Sequence, residues 1–298
     1  MDKDSVNLIS TSYGKTGVKL LYVQRNPDNI IEFEVSTLLQ LNDTKDYQHG
    51  NNSLVVPTDT QKNLVYITAQ RYGVSSPEEF AMKLAGHFLS AYPQIVSARV
   101  TVETVHGWKR IDRSGQQHSH AFISSPECTR MGQVFQRRGG PPQVSAGLKG
   151  LRVLKTTNSA FKDFHNCDAT TLTNTDDRIF STVVEAQWSY SSLQGLHFCN
   201  AWDAVLDCIL ETFAGPAGEG VFSPSVQLTV YDTEKLALSK VKQISEISMS
   251  LPNVHYFDVD MARFTQLSLR NTKNVYLPTD KPSGIIKATL ARSQTSKL

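Results

Sequence analysis

The chain has 298 residues, 40% hydrophobic and 19% charged, with a net charge of +2. That length and balance predict a soluble globular protein with room for a sizeable core and about two domains. No basic block interleaved with aromatics gives a footprint for nucleic acid, and no apolar run approaches the ~20 residues needed to cross a membrane.

The N-terminus, Met1-Asp2-Lys3-Asp4, lacks the charged-then-apolar order of a secretory signal, so an intracellular protein is expected. Residues 17–25 and 29–41 read as two strands, the second with Ile31, Phe33 and Val35 alternating with Glu32, Glu34 and Ser36. A helix is predicted from Thr58 to Gln70. Another opens at Ser76-Pro77-Glu78-Glu79, a capping box with proline at the first helical position, and its Phe80, Leu84 and Phe88 recur on one face. Strands follow at 95–106, with Ala98, Val100 and Val102 on one side, and at 118–125. Gly139-Gly140-Pro141-Pro142 is the strongest break and the expected boundary between units 10–140 and 141–295.

Beyond the break, strands are predicted at 147–156 and 179–190, and helices from Ala201 to Phe213 and from Pro224 to Ser248. Pro252 is expected to end the element before it. A strand then begins with Asn253 and His255, and a last one lies at 284–291. Each half therefore reads β-β-α-α-β-β, which predicts an α+β protein of two antiparallel sheets with paired helices on one face.

Several positions carry chemistry. Asn253 and His255 are two apart on a strand, so an amide and a titratable imidazole leave the same face. Two helix starts present free N–H groups to an anion: Pro57-Thr58-Asp59-Thr60, with Thr58 or Thr60 as cap, and Ser223-Pro224-Ser225-Val226-Gln227, with Ser223 as cap. His118 and His120 share a strand face, but no cysteine or carboxylate stands at a supporting spacing, so they are read as solvent-facing. Cys128, Cys167, Cys199 and Cys208 form no Cys-x-x-Cys pair and are expected as reduced thiols. Gly218-Glu219-Gly220 follows a helix and lacks a third glycine, so it is no dinucleotide fingerprint. The last three residues, Ser296-Lys297-Leu298, match the tripeptide address for peroxisomes, which predicts peroxisomal localisation through the import receptor.

Taken together, Tyr13-Gly14-Lys15, Val55-Val56-Pro57-Thr58-Asp59-Thr60, Thr156-Thr157-Asn158-Ser159-Ala160-Phe161, Ser225-Val226-Gln227 and Leu251-Pro252-Asn253-Val254-His255-Tyr256-Phe257 resemble the urate oxidase (uricase) family from about Tyr13 onward. The resemblance implies two tandem tunnelling-fold (T-fold) units, a homotetramer with sites at subunit interfaces, and oxidation of urate by O2 and water to 5-hydroxyisourate and hydrogen peroxide. It implies no cofactor and no metal. By the same resemblance, Arg178 and Gln227 grip the pyrimidine edge of urate, Val226 lies beside Gln227, and Phe161 stacks on the ring. Thr58 and Asp59 contact the five-membered ring, and Asn253 holds dioxygen and then water. Lys15, Thr58 and His255 form a proton relay. Two features depart from the family pattern: Pro57 stands where a small residue is usual, and the segment from Arg137 to Gln143 is unlike the usual linker. Rival readings are an inactive purine-binding tunnelling-fold protein, which would be expected to have lost Lys15, Thr58 or His255, and a pterin or GTP hydrolase of the same fold, which generally keeps a glutamate anchor.

Overall fold

In the computed structural model the described residues are 6–25, 28–125 and 127–293. The chain separates into two compact units, residues 1–147 and 148–298.

In the first unit, β1 (Tyr13–Gln24) and β2 (Asn29–Leu41) pair antiparallel, Tyr13 opposite Leu39 and Gln24 opposite Asn29. After α1 (Lys45–His49) come α2 (Thr58–Tyr72) and α3 (Pro77–Ala91), then β3 (Ile95–Thr104), a hairpin of β4 (Trp108–Arg113) and β5 (Gln116–Ser124), and β6 (Thr129–Arg137). The main sheet runs β1-β2-β3-β6, all antiparallel. Its inner face meets α3 through Phe80, Leu84 and Phe88, all buried as their spacing predicts. Burying each contributes about 1.5–3 kcal/mol. Ser76 caps α3 by accepting from the Glu79 N–H, but the Glu79 carboxylate turns to the Ser75 hydroxyl, so the capping box is half formed. Gly132 on β6 lets the start of α3 sit close: a Cβ there would lie 2.7 Å from the Glu78 nitrogen.

The strand predicted at 118–125 is present as β5, but it stands outside the main sheet. Residues 116–124 fold back on β4 across Ser114-Gly115, both at positive φ, with Asp112 accepting from the Gly115 N–H. Strand β6, absent from the sequence reading, takes the place beside β3. The polar, exposed run Gln116–His120 has nothing to bury against a core, whereas β6 buries Val134.

The division between units falls within β7 (Gln143–Lys155). The second unit continues with β8 (Phe180–Tyr190), α4 (Phe198–Ala214), α5 (Val226–Lys240), β9 (Ile244–Asp258), β10 (Tyr276–Thr279) and β11 (Ile285–Ala291). Strand β9 pairs antiparallel with β8, β11 and β10. Helix α5 ends eight residues earlier than the sequence suggests, because 244–251 follow strand periodicity, with Ile247, Met249 and Leu251 buried and Glu246 and Ser248 exposed. Nor does Pro252 end anything. It lies inside β9, where an extended φ suits proline, and the only sacrifice is one ladder donor. The Thr182 hydroxyl donates to its carbonyl at 2.8 Å, and pairing resumes with the Asn253 N–H on the Gly284 carbonyl.

The two units repeat one device. Arg138, just past β6, donates to the Tyr92 and Ile95 carbonyls and its own N–H bonds Val96. Arg292, just past β11, does the same to Leu238, Val241 and Ile244, with its N–H on Ser245. Each guanidinium thus adds donors to the carbonyls where α3 turns into β3, or α5 into β9.

All four cysteines are free thiols, and Cys208 is buried on α4. His118 and His120 are exposed, their rings edge to face at 4.5 Å. Residues 296–298 lie outside the described residues.

Candidate functional site

Each unit gathers part of the predicted set. In the first, Lys15 sits on β1 opposite Thr37, next to a register irregularity between Lys15 and Val18. The backbone at Gly14 presses so close to β2 that a Cβ would fall 1.7 Å from the Thr37 carbonyl oxygen, so only glycine fits. Tyr13 reaches the other way, its hydroxyl accepting from the Val56 N–H at 2.9 Å. Between them lies fully buried Gln61 on α2. It donates to the Val56 carbonyl and accepts from the Thr37 hydroxyl at 2.7 Å, while Thr37 accepts the Lys15 N–H at 3.4 Å. These bonds fix the start of α2 against the strand bearing Lys15.

Neither Thr58 nor Thr60 caps α2, correcting the expectation. Pro57 occupies the capping position and offers no side-chain acceptor, so Thr58 and Asp59 open the helix without a side-chain cap. The Asp59 carboxylate is held by Lys62 and Asn63, which draws its pKa down, chiefly through the Lys62 hydrogen bond, with Lys15 a smaller contributor.

In the second unit, Arg178 lays its guanidinium 5.2 Å from the centre of the Phe161 ring, and Phe161 stacks on Phe164. Burial lowers the Arg178 pKa, and its Nε is buried without an acceptor among the described residues. The neighbouring Asp177 is turned away to the Thr157 hydroxyl. The Arg178 N–H donates to the Ser159 carbonyl, and Ser159 bridges to Ser223. Ser223 is therefore not the cap of α5, as the sequence suggested, but a joint in the segment leading to it. The cap is Ser225, accepting from the Leu228 N–H at 3.1 Å. Val226, buried, and Gln227, exposed, form the first turn of α5. Backbone bonds through Ser159 and Ser223 thus tie the Phe161–Arg178 segment to the residues that lead into α5.

Asn253 and His255 project from β9 at alternate positions. His255 lies opposite Thr279 of β10 and stacks at 5.7 Å on Phe257, while the Asn253 amide lies beside Gly284. Two residues that fix the start of α2 escaped the sequence reading, Thr37 and Gln61. The signal available was slight, a glutamine and a threonine at positions that turn out buried.

A repeated antiparallel sheet backed by paired helices, with a cationic and aromatic cluster at a helix start, defines a tandem tunnelling-fold protein of the α+β class. The uricase family model matches residues 11–135 and 144–287, leaving out the Gly-Gly-Pro-Pro segment that departs from the family pattern. The chain is 44% identical to a uricase of Oryctolagus cuniculus, covering 99% of this chain and 98% of that one, and 41% identical to a uricase of Danio rerio at the same coverage. A crystal structure of uricase from Arthrobacter globiformis superposes with a TM-score of 0.89 at 33% identity, over 98% of this chain and 96% of that one. The chain belongs to the uricase family.

Proposed function

We propose that the chain oxidises urate with dioxygen and water to 5-hydroxyisourate and hydrogen peroxide. Beyond family membership, one observation carries this reading: Arg178, half-buried beside the Phe161 ring, with its Nε lacking an acceptor and no carboxylate against it among the described residues. A planar anion supplies what this pair lacks, a face for the ring and lone pairs for the guanidinium. Gln227 at the start of α5 completes the grip on the pyrimidine edge, and Val226 packs behind it. The exposed first turn of α2, with Thr58 and Asp59, receives the five-membered ring through backbone N–H groups, since the Asp59 carboxylate is already engaged.

Urate must lose a further proton before it gives an electron to dioxygen. Lys15 accepts it, the Thr58 hydroxyl passes it on as donor and acceptor, and His255 completes the relay. Asn253 holds dioxygen, then the attacking water, above the ring. No cofactor or metal takes part. The reading extends to a homotetramer in which Lys15, Thr58 and Asp59 of one subunit meet the remaining residues of its two-fold partner. It extends also to peroxisomal delivery through Ser296-Lys297-Leu298.

The test is to mix metal-stripped, purified protein with urate and follow urate's ultraviolet absorbance together with peroxide. Loss of urate with matching peroxide supports the reading. Unchanged urate and no peroxide refutes it.

A further inference from the structure

The ammonium of Lys155, at the end of β7, occupies an unusual place. It donates at 2.8 Å to the Val221 carbonyl and at 2.8 Å to the Ser223 hydroxyl oxygen, and it lies 5.5 Å and 5.9 Å from the ring centres of Phe213 and Phe180. Both rings are buried. No carboxylate pairs with it among the described residues, and burial alone draws its pKa down. A lysine held in an aromatic slot loses solvation and side-chain freedom, and neutral partners offset that cost only in part. What the ammonium does accomplish is local. Ser223, 3% exposed, is the knot of the anion-facing cluster. Its N–H bonds the Asn158 carbonyl, its carbonyl accepts from Ala160, and its hydroxyl also accepts from Thr229 of α5. Through Ser159, which bridges to Ser223 and accepts the Arg178 N–H, the same knot sets the backbone of Arg178.

We propose that Lys155 is a positioning residue for the urate site: its ammonium, acting through Ser223, holds the Phe161–Arg178 segment in register with the Val226–Gln227 turn. The inference rests on the urate-oxidising reading above. The ammonium spans two segments that must stay aligned, 155–161 and 221–227, and both of its protein acceptors lie on the second. Removing it leaves the Val221 carbonyl and Ser223 hydroxyl without their charged donor and frees the α5 start to shift against Arg178. Because misplacement of this cluster weakens the grip on substrate before any chemistry, the effect falls on KM and leaves kcat near its original value.

The experiment uses the full-length protein as wild type, Lys155→Met and Ser223→Ala, comparing KM and kcat for urate per folded protein alongside the melting temperature. Methionine keeps an apolar stem between Phe180 and Phe213 while deleting charge and donors. For Lys155→Met, KM is expected to rise about tenfold with kcat within about twofold, the size of one lost charge-assisted hydrogen bond. For Ser223→Ala, where Val221 still holds the ammonium, KM rises in the same direction by less. An unchanged KM in Lys155→Met, with or without a lower melting temperature, overturns the proposal. If Lys155→Met does not fold, an unchanged KM in Ser223→Ala overturns it instead. A wild type that neither consumes urate nor forms peroxide defeats the functional reading rather than this one.

Discussion

Glu234 on α5 has no exposed surface, and neither carboxylate oxygen is paired with another side chain among the described residues. Burial pushes its pKa from 4.5 to about 7, with the nearby backbone N–H of Met249 acting the other way. Below the unfolded value both states carry the proton, and the group adds no pH dependence. As pH climbs from 4.5 to about 7, the unfolded chain ionises first, so the folded state loses stability. Above that range the loss is complete. At about 1.4 kcal/mol per pH unit it amounts to about 3 kcal/mol. Glu234→Gln keeps the shape and deletes the titration. Its stability relative to wild type should improve by about 3 kcal/mol between pH 4.5 and pH 8, whatever fixed offset the amide introduces. Urea denaturation of both proteins across this range measures the difference directly. Parallel stability curves for the two proteins would refute the reasoning and place an ionised, solvated or paired carboxylate at this site.

Lys15→Met should lower kcat by orders of magnitude with little change in KM, whereas Arg178→Ala should chiefly raise KM; identical kinetic signatures would collapse the division between relay and grip. Mixed and reassembled in equal amounts, and assayed at urate too dilute for Arg178→Ala to turn over, these two variants should recover about a quarter of wild-type activity if sites are shared between two-fold partners, because half of random pairs are mixed and each mixed pair holds one intact site. No recovery in confirmed mixed oligomers would confine the site to one subunit. Gly14→Ala should misfold or melt far lower, since its Cβ meets the Thr37 carbonyl oxygen at 1.7 Å, and a folded, active variant would show that β1 can withdraw from β2.

Where one periodicity dominated, the sequence was readable. The stripe of Phe80, Leu84 and Phe88 gave α3, and the alternation in 29–41 gave β2. It misled where local signals competed with distant ones. Residues 241–248 carry enough helix formers to prolong α5, yet Arg292, more than forty residues further on, closes the helix at its carbonyls. Pro252 looks like a terminator, but β8 and β11 flank it and hold it extended. The residues matched by family resemblance were visible as short motifs. Their supports were not: Thr37 meets Gln61 across 24 positions, and Lys155 meets Ser223 across 68, contacts that exist only once strand register and helix packing are set. Ser225, rather than Ser223, caps α5 because the Ser159 bridge claims the earlier residue first.

Strand β9 runs unbroken for fifteen residues, rooted through Ile247, Met249 and Leu251 in the interior before it delivers Asn253 and His255. The ordering entropy of that pair is therefore spent once, when the sheet forms, and not again at each turnover. A scaffold of this kind has no hinge to loosen ahead of the whole. Heating should leave Asn253 and His255 in alignment until the sheet itself gives way, so any catalysis that depends on them ought to disappear with native structure in one transition.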